Sequence, residues 1–125
     1  MAQEAPVRLL LGGLWLDGAN YAMARADVTA TASGDTALVA AQGAGNRIYV
    51  LWVLVTWNTS VNLAVRLRSA ANNISGAHTF DTIGEGWALS CSPMWFARTN
   101  ANEALNVNLS AVGNVTVEVG YVVAP

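Results

Sequence analysis

The sequence predicts an all-β domain, built as an eight-stranded antiparallel sandwich of the jelly-roll type. From residue 24 onward apolar and polar residues alternate with period two, which is typical of half-buried strands, and no stretch repeats with the 3.6-residue period of a helix. The predicted strands recur at intervals of about 8–12 residues with turn residues between them, as in sandwiches and barrels. Eight antiparallel strands in two sheets favour a jelly roll. An immunoglobulin-like sandwich is the alternative, although the chain lacks the Cys–Trp–Cys pattern of that fold.

The composition indicates one domain with an unusually apolar surface. The chain has 125 residues, of which 11% are charged, whereas soluble domains average about 25%. The hydrophobic fraction of 54% excludes disorder over most of the length, and the net charge of −2 argues against a nucleic-acid partner. We therefore expect part of the surface to be covered by a partner, and further copies of the chain are the simplest partner.

Neither a membrane span nor a secretion signal is expected. The longest apolar run, residues 48–55, is much shorter than the roughly 20 residues of a spanning helix. The apolar start of the chain carries Glu4 and Arg8 and is interrupted by Gly12-Gly13, which is unlike a signal peptide. The single cysteine, Cys91, excludes an internal disulfide.

Residues 1–23 differ from the rest and are predicted to form an N-terminal extended arm, with the sandwich domain occupying residues 24–125. The arm has no clear period and is interrupted by glycines. Its apolar residues are too many for a solvated tail, and two interpretations stay open: a strand packed on its own domain, or an arm laid across a neighbouring subunit. The residues expected to contact a partner are Leu9, Leu11, Leu14, Trp15 and Leu16.

The first three strands of the domain are predicted at residues 24–31, 36–42 and 47–57, with turns at Ser33-Gly34-Asp35 and at residues 43–46. The third of these strands is apolar on both faces. A strand with one wet face alternates, so both faces of this strand should be covered. The double cover is one reason to expect an oligomer.

Five further strands are predicted at residues 61–69, 72–80, 86–91, 104–111 and 115–123. The last two are expected to pair as a hairpin through the three-residue loop Val112-Gly113-Asn114. This register places Leu109 opposite Val117, and because a slip of one residue would turn every side chain over, the apolar matching decides between loops.

The residues that carry chemistry are too few for a catalytic or metal site. His78 is the only histidine and Cys91 the only cysteine, whereas a structural zinc site needs about four such ligands. Asp81 and Glu85 are the nearest approach to a carboxylate pair, but acidic residues beside a glycine are typical of turns. The chain contains no lysine and hence no phosphate-binding loop of the Gly-Lys-Ser/Thr type. We expect no catalytic residue, no metal and no cofactor, and therefore a protein that is not an enzyme.

Two groups of residues are candidates for a contact surface. Trp95 and Phe96 lie next to a predicted loop, and aromatic residues are enriched at protein interfaces, although core packing is an equally good explanation. Arg66, Arg68 and Glu118 occupy outward positions of predicted strands and suggest a polar contact face.

The C-terminal two thirds of the chain resembles small β-structured proteins of tailed-bacteriophage virions. The likeness covers roughly residues 43–123. It lies in Gly45-Asn46-Arg47-Ile48-Tyr49, in Ser92-Pro93-Met94-Trp95-Phe96, in Glu103-Ala104-Leu105-Asn106-Val107 and in the closing valine-rich strand.

The resemblance implies a capsid decoration (cement) protein: a small jelly-roll module, typically a homotrimer, which binds the major capsid protein on the capsid exterior and stabilises the shell. It implies no individual functional residue, because the pattern marks core and turns. A head-fibre or tail-associated module of the same virion is the first alternative. A carbohydrate-binding module that uses the tryptophans is the second.

Overall fold

The computed structural model describes residues 13–16, 18–92 and 94–125. These residues form twelve β-strands: β1 (Gly13–Leu16), β2 (Ala19–Ala22), β3 (Ala24–Ala30), β4 (Gly34–Val39), β5 (Arg47–Trp57), β6 (Leu63–Ser69), β7 (Asn72–Asn73), β8 (His78–Phe80), β9 (Gly86–Ser90), β10 (Ala97–Arg98), β11 (Leu105–Leu109) and β12 (Val115–Ala124). They contain no helix, and so none that is long and apolar enough to cross a membrane.

The strands form two five-stranded antiparallel sheets and a separate hairpin. In the first sheet the order is β10-β5-β12-β3, and β9 also pairs with β5. In the second sheet the order is β4-β11-β6-β7, and β8 also pairs with β6. The N-terminal hairpin consists of β1 and β2, with Gly18 at a positive φ of 78° in its turn. The prediction of an all-β protein with two antiparallel sheets is confirmed.

The main core lies between the two sheets, and the alternating residues of three strands build much of it. Every second side chain of β6 as far as Leu67, of β11 and of β12 as far as Val119 is buried there: Leu63, Val65, Leu67, Leu105, Val107, Leu109, Val115, Val117 and Val119. Burial of each aliphatic side chain contributes about 1.5–3 kcal/mol before the entropic cost of ordering it. The inward residues that the alternation predicts are therefore the ones that hold the sheets together.

The strand count differs from the prediction. Each of the eight predicted strands has a counterpart, but the segment at residues 72–80 forms two short strands, β7 and β8, with an irregular stretch between them. In addition β10 forms beside the start of β5, and part of the predicted arm forms β1 and β2.

The predicted final hairpin is wrong. β11 pairs with β4 and β6 in the second sheet, whereas β12 pairs with β3 and β5 in the first. The two strands face each other across the core and share no ladder. Their apolar residues point to the same core from opposite sides, and this arrangement satisfies the same alternation as a hydrogen-bonded hairpin does.

A second, smaller core covers the outer face of the first sheet. Leu14 of the N-terminal hairpin packs there against Tyr49, Leu51, Val122 and Ala124, and Leu16, Tyr21 and Met23 pack around them. The register between β5 and β12 shifts at Gly120/Tyr121, so Leu51 and Trp52 both contribute to this outer layer. In a regular strand Tyr49 and Trp52 would lie on opposite faces, and this shift is why both lie on the outer side.

The prediction that β5 is covered on both faces holds for its first half only. Residues 48–51 are all buried, on one side by the main core and on the other by the N-terminal hairpin. Further along, Leu54 is 41% exposed and Thr56 is exposed. The chain itself therefore supplies much of the cover that the sequence suggested an oligomer would supply.

Candidate interaction surface

One edge of the first sheet is formed by β9, which pairs only with β5 among the described strands. The loops on either side fasten it to β5. The Gly84 N–H donates to the Trp57 carbonyl at 2.9 Å, and the Cys91 N–H donates to the Leu51 carbonyl at 2.8 Å. This edge is therefore held at both ends while its outer backbone groups face away from the sheet.

Exposed apolar side chains concentrate at this edge. The described part of the chain has six large exposed ones, and four of them lie on β9, in its flanking loops or on the neighbouring strand: Leu54, Ile83, Leu89 and Met94. Met94 is the most exposed of the four, with 65% of its surface accessible. We call β9 with these four side chains the β9 edge.

The β9 edge also lacks charge. Residues 86–97 contain no Asp, Glu, Lys, Arg or His. Sheet edges are ordinarily protected from pairing with other chains by charged side chains, by proline or by a covering segment. The opposite edge of the same sheet follows that rule, since β3 exposes Arg25 and Asp27. The contrast marks the β9 edge as the surface most suited to a protein partner.

Aromatic residues form a rigid layer behind the β9 edge. Trp87 of β9 stacks on His78 of β8 with ring centroids 3.9 Å apart, which joins the two sheets at this side, and Trp87 also meets Phe96 edge to face at 6.5 Å. Trp57 packs on Phe80 at 5.1 Å in the main core. These contacts hold β9 in place, so a partner would meet a preformed surface.

The structure places both predicted aromatic contact residues partly inside the molecule. Phe96 packs against the main core, and Trp95 packs against the second core, where its ring meets Tyr49 at 5.5 Å. The Arg98 guanidinium lies 5.3 Å from the centroid of the Trp95 ring. Each residue keeps some exposure, but the most accessible side chain of this loop is Met94, which the sequence analysis did not select.

The predicted arm residues divide into three groups. Leu9 and Leu11 lie outside the described residues, as does the side chain of Trp15. Leu14 is 2% exposed and Leu16 is half-buried, both against the first sheet of their own chain. Leu14 is therefore engaged within the chain and offers no surface to a partner in this structure.

The predicted polar face is divided between the two sheets. Arg66 and Arg68 lie on the outer face of the second sheet, where Arg68 bonds to Asp35 at 3.1 Å and Asn108 bonds to the same carboxylate at 2.8 Å. Glu118 lies on the outer face of the first sheet and pairs with Arg25 at 2.9 Å. The structure does not bring these three residues together into one surface.

The residues considered for chemistry serve local structure. The Glu85 carboxylate accepts the N–H groups of Thr82 at 2.8 Å and Asp81 at 3.3 Å, which closes the loop before β9. Within the described ranges no group of three or more His, Cys, Asp and Glu side chains is arranged to hold a metal ion.

The pKa of Glu103 is lowered by local hydrogen bonds. The hydroxyl of Ser69, which is buried, donates to the Glu103 carboxylate at 2.6 Å, and the Asn100 amide donates at 2.9 Å. Both bonds favour the ionised carboxylate, the Ser69 bond more strongly, so the pKa falls below the ordinary 4.5. This network joins β6 to the loop before β11 and lies away from the β9 edge in sequence and sheet.

A shallow groove on the outer face of the first sheet overlaps the β9 edge, with which it shares Leu54 and part of β9. It begins where the N-terminal hairpin ends, and we call it the outer groove. Its floor and walls are Arg25, Trp52, Leu54, Ala88, Ser90 and Glu118. The apolar floor contrasts with the Arg25–Glu118 ion pair along one side.

Leu54, Ile83 and Leu89 carry no signal among the predicted contact residues, whereas Met94 lies directly beside the predicted Trp95 and Phe96. The charge-free run at residues 86–97 was the signal that could have found them, because an edge strand without charge is rare in a monomer. Comparison of the chain with protein-family models, with curated proteins and with solved structures finds no match in any of the three.

Proposed function

We propose that this chain is a structural protein of a tailed-phage virion, a decoration protein that binds the major capsid shell from outside and stabilises it. The observation that carries the proposal is the β9 edge: preformed, apolar, uncharged and open. Such an edge suits a protein partner, and the sequence resemblance points to the capsid as that partner. Low charge over the whole chain is in keeping with a protein that works in contact with others.

We further propose that the sandwich is a jelly roll. In that fold a long hairpin rolls up into eight strands. The first strand then pairs with the eighth, the second with the seventh, the third with the sixth and the fourth with the fifth. The pairs β3–β12, β4–β11 and β5–β9 fit this scheme. The innermost pair is β6 with the segment that is divided into β7 and β8. The extra strands β1, β2 and β10 are additions to it.

The proposed assembly is a homotrimer. Many copies on a shell, each held by a modest contact, bind tightly as a set because the second and third contacts of a trimer are intramolecular. A single small edge is therefore sufficient for capsid stabilisation, and no copy needs a high individual affinity. The number three comes from the resemblance alone.

The test is binding to expanded shells assembled from the major capsid protein encoded in the same genome. We expect Met94→Lys to weaken binding by about tenfold or more, since it places a charge in the centre of an apolar contact. The matched control is Val112→Lys. Val112 is 68% exposed in the loop between β11 and β12 and is not one of the residues that define the β9 edge, so its substitution should change binding less than about twofold.

Three results would count against the proposal. Equal binding by both variants would remove the β9 edge from the interface. Failure of the unaltered protein to bind shells, together with binding to a glycan array, would favour a carbohydrate-binding module. Light scattering that gives a single 13.1 kDa chain at micromolar concentration would remove the trimer. Among the described tryptophans Trp57 is buried, and Trp52, Trp87 and Trp95 are partly exposed.

A further inference from the structure

The indole of Trp52 lies flat on the outer face of the first sheet. Trp52 of β5 is the direct cross-strand neighbour of Gly120 of β12. A Cβ built on Gly120 would lie closest to Nε1 of that indole, with Cε2 at 2.5 Å and Cδ1 at 2.6 Å. The two carbons are almost as close as Nε1, which places this point above the face of the ring, because a point in the ring plane beyond Nε1 would be much farther from them. One face of the indole therefore rests on Gly120, and the other faces away from the sheet.

A register shift in β5 turns Trp52 to this side. The pairing with β12 passes from Trp52 to Val50, so Leu51 has no partner on β12, and Leu51 and Trp52 both reach the outer side. An extra residue of this kind is a β-bulge, and bulges often re-aim a side chain beside a functional site. Trp52 is half-buried, packs against the second core and lines the outer groove. Its ring is thus fixed by Gly120 and the second core and accessible from the groove.

Charged hydrogen-bonding side chains lie beside this ring. On the outer face Arg25 of β3 is the direct neighbour of Gly120, and Asp27 and Glu118 face each other one row further along. Arg25 pairs with Glu118 at 2.9 Å, and the two side chains keep 64% and 29% of their surface accessible. The groove therefore combines one flat aromatic face with accessible donors and acceptors.

An aromatic face bordered by such groups suits a sugar ring. The C–H groups on one side of a pyranose pack on the negative face of an aromatic ring. Its hydroxyls lie around the edge of the sugar, where a carboxylate accepts and a guanidinium donates hydrogen bonds roughly twice as strong as neutral ones. The outer groove, with a volume of about 570 Å³, falls in the range of about 300–1,000 Å³ that is usual for small-molecule sites.

The charge beside the ring favours a neutral sugar. Asp27 and Glu118 supply two carboxylates, and Arg25 supplies one guanidinium, which already pairs with Glu118. A sugar acid would bring a third carboxylate to this place, and the juxtaposition of like charges opposes binding. A neutral pyranose avoids that repulsion and keeps its hydroxyl hydrogen bonds.

We propose that the outer groove binds a neutral pyranose ring of a glycan. The sugar stacks on the outward face of Trp52 and forms hydrogen bonds through its hydroxyls to Arg25 and Glu118. Glycan binding goes beyond the proposed function and does not rest on it.

The sugar site and the β9 edge overlap only in part. Leu54 and Leu89 belong to both, whereas Ile83 and Met94 are not among the side chains that line the groove. The stacking face lies over β12, and β12 and β9 flank β5 on opposite sides. Because the two surfaces share a border, sugar binding is measured on protein free of shells.

The test is an NMR titration with neutral tetrasaccharides of glucose, mannose and galactose. We expect at least one of them to bind with a Kd below about 10 mM and to shift the indole N–H signal of Trp52. Trp52→Ala should weaken binding about tenfold or more, whereas Trp52→Phe, which keeps an aromatic ring, should weaken it less than about fivefold. Trp95→Ala is the matched control, because Trp95 is also half-buried but does not line the groove, and should change the Kd less than about twofold.

Glu118→Gln tests the polar side of the site and keeps the proposal testable if Trp52→Ala does not fold. It retains the shape of the side chain but removes the charge, so binding should weaken about three- to tenfold. Each neutral tetrasaccharide is also compared with the tetrauronate of the same stereochemistry, which should bind at least about tenfold more weakly. Met94→Lys, which should weaken shell binding, should leave sugar binding within about twofold of the unaltered protein, so the two proposals can fail separately.

Absence of binding by all three neutral tetrasaccharides at about 10 mM would overturn the proposal. Equal losses for Trp52→Ala and Trp95→Ala would also overturn it, as would a tetrauronate that binds as tightly as its neutral counterpart. Sugar binding by a protein that also binds shells is the result expected if both proposals hold.

Discussion

Leu14→Ala tests whether the N-terminal hairpin is part of the folded unit. Leu14 is 2% exposed and packs on Tyr49, Leu51, Val122 and Ala124. Leu→Ala substitutions in cores cost 2–5 kcal/mol, because a cavity remains where the surroundings cannot collapse. The second core is small and lies near the surface, so partial collapse is easy. We therefore expect a loss of about 2–3 kcal/mol in the free energy of unfolding.

Urea unfolding followed by circular dichroism measures the change. With a slope of roughly 2 kcal/mol per molar urea, the transition midpoint should fall by about 1–1.5 M. Val112→Ala is the matched control, since its side chain is 68% exposed, and should stay within about 0.5 kcal/mol of the unaltered protein.

A loss below about 0.5 kcal/mol for Leu14→Ala would refute the argument, because it would mean that the hairpin detaches at almost no cost and that the second core adds nothing to stability. That result would favour the interpretation of residues 1–23 as an arm that binds a neighbouring molecule.

Two further predictions concern packing and pH. A Cβ on Gly120 would lie 2.6 Å from Cδ1 of Trp52, so Gly120→Ala should displace the indole and alter tryptophan fluorescence. We expect the free energy of unfolding, measured in urea, to fall by about 1–3 kcal/mol. If the effects of Trp52→Ala and Gly120→Ala prove additive in a double-mutant cycle, the clash is not the cause. The lowered pKa of Glu103 means that its hydrogen bonds stabilise the fold above the unfolded value of 4.5, and that this contribution is lost as the pH falls through the lower folded value. Glu103→Gln should therefore destabilise the protein at neutral pH by an amount that shrinks below about pH 4.5 in urea titrations, and a pH-independent difference would contradict this.

Much of the sandwich was predictable because alternation records which side of a strand faces apolar surroundings. The inward positions of β6, β11 and β12 follow directly from it. The bounds of β5, predicted at residues 47–57 and observed as Arg47–Trp57, follow from its apolar run instead. The β1–β2 hairpin had a weaker signal, the Asp17-Gly18 pair, which is typical of a tight hairpin turn.

The candidate surface was less predictable. Trp95 and Phe96 looked like contact residues because they are aromatic and close to a loop, yet both pack partly on their own chain. Whether an apolar side chain is buried depends on what the rest of the chain lays over it, and that cannot be obtained from its neighbours in sequence. The exposure of Leu54, on a strand whose first half is fully covered, shows the same limit.

The sequence by itself determined the fold class, the inward face of most strands and the absence of charge along residues 86–97. Only the tertiary structure decided which strands pair, which half of β5 receives a second cover and where the uncharged run lies. The separation of β11 and β12 into different sheets shows why the sequence does not determine strand pairing. A period of two specifies that a side chain enters an apolar layer, and a strand beside it in the same sheet or opposite it across the core satisfies that requirement equally well.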